Sequence, residues 1–159
     1  MDVEKSNTIK ATLKATKDRR KTQSCKVFEV KFDKSHLSTE KKRYLRKLFV
    51  EAKWLYNNML ASDNIFEFCS KSKDVYVLNK NKEIELRELK TLSSQMRQAV
   101  GDRTINSITA LCRLREKGFK IGRLKFKSEI NSIPLKQFGS TYRIENDKYI
   151  KLQGFQKAF

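Results

Sequence analysis

Nowhere in the 159 residues is there an apolar run long enough to cross a bilayer, and the N-terminus lacks the apolar centre of a secretory signal. The chain is therefore expected to be cytoplasmic, with no membrane partner. Cysteine is scarce and widely spaced: Cys25, Cys69 and Cys112, without a CxxC, beside a single histidine, His36. An odd, scattered set does not read as a disulfide framework. A zinc site from these four residues lacks the close ligand pair that structural zinc sites contain. The cysteines read instead as small buried hydrophobes. P-loop, GxGxxG and HExxH patterns are absent, and no nucleophile motif accompanies His36. The acids are dispersed among lysines, whereas metal-dependent nuclease chemistry needs convergent carboxylates holding cations about 4 Å apart. The chain thus carries no complete catalytic site, no metal site and no cofactor motif of its own.

What is abundant is positive charge. Thirty-six Lys and Arg face 18 Asp and Glu, a net +18. That is far beyond what solubility requires, so a polyanion is the expected partner. With no lipid anchor in evidence, nucleic acid fits better than a membrane surface. The length and the 38% hydrophobic content suffice for one ordinary core, or two small lobes sharing one.

Hydropathy patterning divides the chain. Residues 1–23 hold seven Lys and Arg against three acids with few large apolar side chains, and read as a flexible basic arm. SCKVFEVKFD (24–33) alternates as a strand. Ser38 or Thr39 caps a helix to about Leu60, whose apolar line includes Leu48, Ala52, Leu55, Tyr56 and Met59. Its other face carries Lys41, Lys42, Arg43, Arg46, Lys47 and Lys53, suited to phosphate. A short helix is expected over 63–70. VYVL (75–78), an NKNK turn and EIELREL (83–89) predict a hairpin. A second amphipathic stretch runs from Leu92 to Lys117, interrupted at Gly101–Asp102 and closed by Gly118. Segments 122–128, 133–138, 141–145 and 148–152 alternate as four short strands.

The densest signal is RLREKGFKIGRLKFK (113–127), seven Lys and Arg with one Glu, into which Phe119 and Phe126 are inserted. Cations interleaved with aromatics suit a nucleic-acid groove, whether the rings stack on bases or pack beneath in the core.

In order, the strand, AKWLYNNML (52–60), LSSQMRQAV (92–100), KGFKIGRLKFKS (117–128), QFG (137–139) and DKYIKLQGF (147–155) resemble the N-terminal half of TnpB-type transposon nucleases and their small type V CRISPR relatives. The likeness covers roughly residues 24–155. It implies an α+β fold: a wedge-like antiparallel β-barrel from 24–36 and 119–159, with a helical recognition lobe inserted over 37–118. It also implies that the protein grips a guide RNA and reads a short motif flanking double-stranded target DNA, holding the heteroduplex by shape and phosphates. Matching positions assign motif reading to Ser94, Gln95, Gln98, Gln137 and Ser140; a glutamine amide pairs bidentately with adenine, and short polar side chains suit T-rich edges. Backbone contacts fall to Lys53, Tyr56, Asn57, Arg97, Lys117, Lys120, Arg123, Lys125 and Lys127. Tyr56 is equally suited to packing helices together.

Two departures stand out. Leu124 occupies a position where the family commonly has proline. The chain also stops at Phe159, before the RuvC-like nuclease domain with its three acidic ligands for Mg and its zinc ribbon. The chain alone is expected to be inactive and its parent an RNA-guided DNA endonuclease. The missing C-terminal part or a second copy is a further expected partner, since an unpaired barrel edge at the end of the chain invites partner or self-association. Two other expectations are a nuclease-free TnpB-derived regulator and an unrelated basic RNA-binding protein.

Overall fold

The apolar positions between Ser38 and Leu60 recur every three or four residues, and Ser38 is extended and free to cap. In the computed structural model, which describes residues 2–24, 35, 37–146 and 148–155, they form a helix, Thr39–Ala61. The Ser38 hydroxyl accepts from the Lys41 N–H at 3.3 Å, meeting one of the unsatisfied first-turn donors. The chain forms two units, Met1–Lys34 and Ser35–Phe159. The described part of the first is α1 (Asp2–Lys21), where a flexible arm was expected. No Gly or Pro breaks that span, and Arg19, Arg20 and Lys21 complement the helix dipole in the last turn. The strand expected over 24–33 lies outside the described residues apart from Ser24, as do Cys25 and His36.

In the second unit, α2 (Thr39–Ala61) is followed by a single 3-10 turn, Ile65–Glu67, in place of the longer helix expected. The hairpin then forms as predicted, β1 (Asp74–Leu78) pairing antiparallel with β2 (Ile84–Glu88) in the register Tyr76↔Leu86 and Leu78↔Ile84. Its NKNK turn carries two Asn, a residue type that tolerates left-handed backbone, but neither of them adopts it. Lys82 takes that conformation (φ 64°), while the Asn79 carboxamide accepts from the N–H groups of Asn81 and Glu83 at 2.8 and 3.0 Å.

α3 runs unbroken from Ser94 to Glu116, so the interruption expected at Gly101 does not occur. The glycine serves packing: a Cβ there would collide with the Phe68 ring. Gly118 (φ 82°) ends the helix as expected.

Beyond α3 two of the four expected strands form, those over 141–145 and 148–152, and the two over 122–128 and 133–138 do not. Residues 122–127 and 133–137 are irregular, while β3 (Tyr142–Glu145) pairs with β4 (Tyr149–Leu152) and Phe138 forms an isolated bridge with Tyr142. The fold is α+β with two separate two-stranded antiparallel sheets, and no closed barrel is formed among the described residues. No helix among them is long and apolar enough to cross a membrane.

One core unites the second unit. Leu48, Leu55 and Met59 of α2, Met96 and Val100 of α3, Val75 and Val77 of β1, with Leu89, Leu92, Ile130 and Phe155, are buried together. Glu51 is buried among them, and its carboxylate accepts from the N–H of Thr91 (2.7 Å) and of Leu92 (2.8 Å), fixing the entry to α3. Glu51→Ala leaves two N–H groups without their acceptor and is expected to cost about 2–4 kcal/mol of unfolding free energy, with Glu51→Gln costing less, measured by urea denaturation.

Candidate nucleic-acid interface

α2 holds much of the irregular C-terminal chain through its polar side chains. The Asn57 carboxamide donates to the Lys127 carbonyl and accepts from the Lys127 N–H, both at 2.9 Å. A single side chain thereby supplies the paired donor and acceptor that a neighbouring strand offers. The Tyr56 hydroxyl donates to the Lys125 carbonyl at 3.2 Å, and the Lys127 ammonium stands 4.7 Å from the Tyr56 ring centroid. Burial pushes the Tyr56 phenol above its ordinary pKa against a smaller opposing effect of Arg103, keeping the hydroxyl a proton donor. Both residues, assigned to nucleic-acid backbone contact from the sequence, are thus engaged in presenting segment 125–127.

Downstream, the chain follows α3 back towards its N-terminus. Arg103 donates to the Ser132 hydroxyl (2.9 Å) and carbonyl (2.8 Å), Asp102 pairs with Lys136, and Gln95 donates its amide to the Gln137 side-chain oxygen. The Ser140 hydroxyl donates to the Gln95 oxygen at 3.2 Å. Three of the five expected motif readers, far apart in sequence, therefore form one hydrogen-bonded cluster. A turn locks it: the buried Thr141 hydroxyl donates to the Gln137 carbonyl at 2.9 Å and accepts from the Gln137 N–H at 3.2 Å, while Gly139 adopts φ 84°. Ser94 and Gln98 lie exposed one helical turn apart at the start of α3, near Gln95 in sequence but outside its hydrogen bonds.

The backbone-contact residues divide. Lys117, Lys120, Arg123, Lys125 and Lys127 are exposed, and Lys53 is half-buried. Among the described residues, ion pairs engage Lys21, Arg87, Lys90, Lys136, Arg143 and Lys151, none of them from the 113–127 ribbon. A ribbon of cations without carboxylate partners is chemically equipped to neutralise phosphates. Arg97 is a correction. It is buried, donating from Nε to the Ser70 carbonyl (2.8 Å) and from Nη1 to the Leu92 carbonyl (2.6 Å), and so is withdrawn from any phosphate.

Phe119 and Phe126, which the sequence allowed to be core or stacking residues, are both exposed. Cys69 and Cys112 are exposed as well, contrary to the buried role expected; backbone hydrogen bonds from Lys71 and Ser72 lower the Cys69 pKa. No group of three or more His, Cys, Asp or Glu able to hold a metal occurs among the described residues.

Sequence reasoning missed the surface around Trp54 and Tyr76. The signal lay in VYVL, which is apolar at successive positions and therefore on both faces of a strand. No protein-family model matches the chain, and no curated protein or solved structure matches it either.

Asn57→Ala removes both bonds to Lys127 and is expected to abolish amide hydrogen-exchange protection at Lys127 while costing about 1–3 kcal/mol of stability. Asn57→Asp, which keeps the acceptor and loses the donor, is expected to retain part of that protection.

Proposed function

We propose that this chain is the nucleic-acid-binding N-terminal part of a TnpB-like RNA-guided DNA endonuclease, gripping guide RNA and reading a short motif beside the target. The observation that carries the reading is the Gln95–Gln137–Ser140 cluster, uncharged and exposed in part, in a chain whose 113–127 ribbon is strongly cationic. The cations neutralise phosphates irrespective of sequence, while the amides carry donors and acceptors matched to base edges in the major groove. Ser94 and Gln98 extend the reading surface along the first turns of α3. The second unit supplies the recognition lobe through α2, the hairpin and α3. Completion of a wedge-like barrel from segment 24–36 and the C-terminal strands belongs to this proposal. Catalysis is assigned to a RuvC-like domain outside the chain, which would bring its own Mg and zinc ligands. The partners are guide RNA, double-stranded target DNA, and that nuclease part or a second copy.

Binding to a randomised duplex library, with the protein loaded with its RNA, separates the two classes of contact. Gln95→Ala and Gln98→Ala are each expected to flatten the preference at one flanking position, by about 1–3 kcal/mol for a base that is no longer read. Lys125→Ala is expected to weaken all sequences alike and reduce the slope of log affinity against log salt by about 1. Unchanged preferences in both glutamine variants contradict the assignment of motif reading.

A further inference from the structure

The outer face of the hairpin does not belong to the core. Val75 and Val77 turn inward, leaving Tyr76, Leu78, Ile84 and Leu86 between 59% and 74% exposed. Between this hairpin and α2 lies a groove of about 460 Å³, lined on its polar and aromatic side by Lys53, Trp54, Asn57, Tyr76, Phe126 and Lys127. No carboxylate lines it, and its two charged residues are both lysines. Tyr76 and Phe126 are 65% and 66% exposed, yet the Tyr76 backbone and the residue following Phe126 are held by consecutive residues of α2. Asn58 accepts from the Tyr76 N–H at 2.8 Å, and Asn57 binds both backbone groups of Lys127, next to Phe126. Two aromatic rings are thus presented to solvent on pinned backbone, with an ammonium group on each of two neighbouring segments.

We infer that this groove captures an unpaired nucleotide of RNA, its base stacking against Phe126 and Tyr76 and its flanking phosphates meeting Lys53 and Lys127. An exposed aromatic ring offers a base the face-to-face contact that a base inside a duplex already makes with its neighbours. RNA is the partner whose loops and bulges present bases unstacked, whereas target DNA arrives as a duplex. The groove therefore complements the Gln95–Gln137–Ser140 cluster, taking RNA rather than duplex edges. This inference rests on the RNA-binding role proposed above.

Trp54 is the chain's single tryptophan and lines the groove, so its fluorescence reports occupancy. The probe is a single strand of twelve uridines, compared with polyphosphate of equal charge, a thymidine strand and mixed-sequence duplex DNA. The RNA strand is expected to quench Trp54 while polyphosphate does not. Phe126→Ala and Tyr76→Ala are each expected to weaken RNA-strand binding by roughly five- to 100-fold, as removal of one stacked base does, with duplex affinity retained. Phe126→Tyr, which keeps the ring, is expected to bind as the parent does; both sites are exposed, so the variants are expected to fold, as circular dichroism checks. Unchanged RNA binding in both alanine variants overturns the groove while leaving the wider reading intact. Quenching by the thymidine strand but not by RNA assigns the groove to DNA and also overturns it. Failure of the parent to bind either RNA or duplex overturns the proposed function together with this inference.

Discussion

The second unit depends on polar side chains of one helix doing what strand neighbours do elsewhere. From α2, Glu51 accepts the N–H groups at the entry to α3, Tyr56 and Asn57 hold residues 125 and 127, and Asn58 holds the hairpin at Tyr76. Backbone groups near a core must find partners, and where no neighbouring strand offers them, side chains of α2 do so here. α2 thereby couples three distant segments at the cost of surrendering one of its faces. The apolar residues between those contacts supply the burial that makes the arrangement stable.

The same interaction places the cations. Lys125 and Lys127 sit on chain anchored by two adjacent α2 residues, so their ammonium groups extend from fixed backbone instead of a free loop. Along α3, Arg103, Asp102 and Gln95 guide the following segment until Gln137 and Ser140 meet Gln95. Fixed donors and acceptors lose less conformational entropy on meeting a ligand than mobile ones do.

Local periodicity made α2, the hairpin and α3 legible in the sequence, because each buries an apolar stripe of its own. Tertiary partners hid the rest. Gly101 resembles a break until Phe68 is seen against it, and segments 122–128 and 133–138 alternate like strands although Lys127 and Ser132 are held by side chains of α2 and α3. Arg97 was expected at a phosphate by resemblance, and a buried arginine is uncommon. Its place beside Met96 and Val100, with Gly101 one turn on, was the available sign that it faces inward. The clustering of Gln95, Gln137 and Ser140 was expected only from resemblance, since no local pattern links residues more than forty positions apart.

The central claim is that the +18 chain carries a particular structured RNA, not merely any polyanion. Expression with the DNA that naturally flanks its coding sequence, followed by purification in moderate salt and sequencing of the retained RNA, tests this most directly. The account predicts one structured transcript from that flanking region, enriched far above its cellular abundance. Retained RNA that merely mirrors cellular abundance, or no retained RNA, contradicts it.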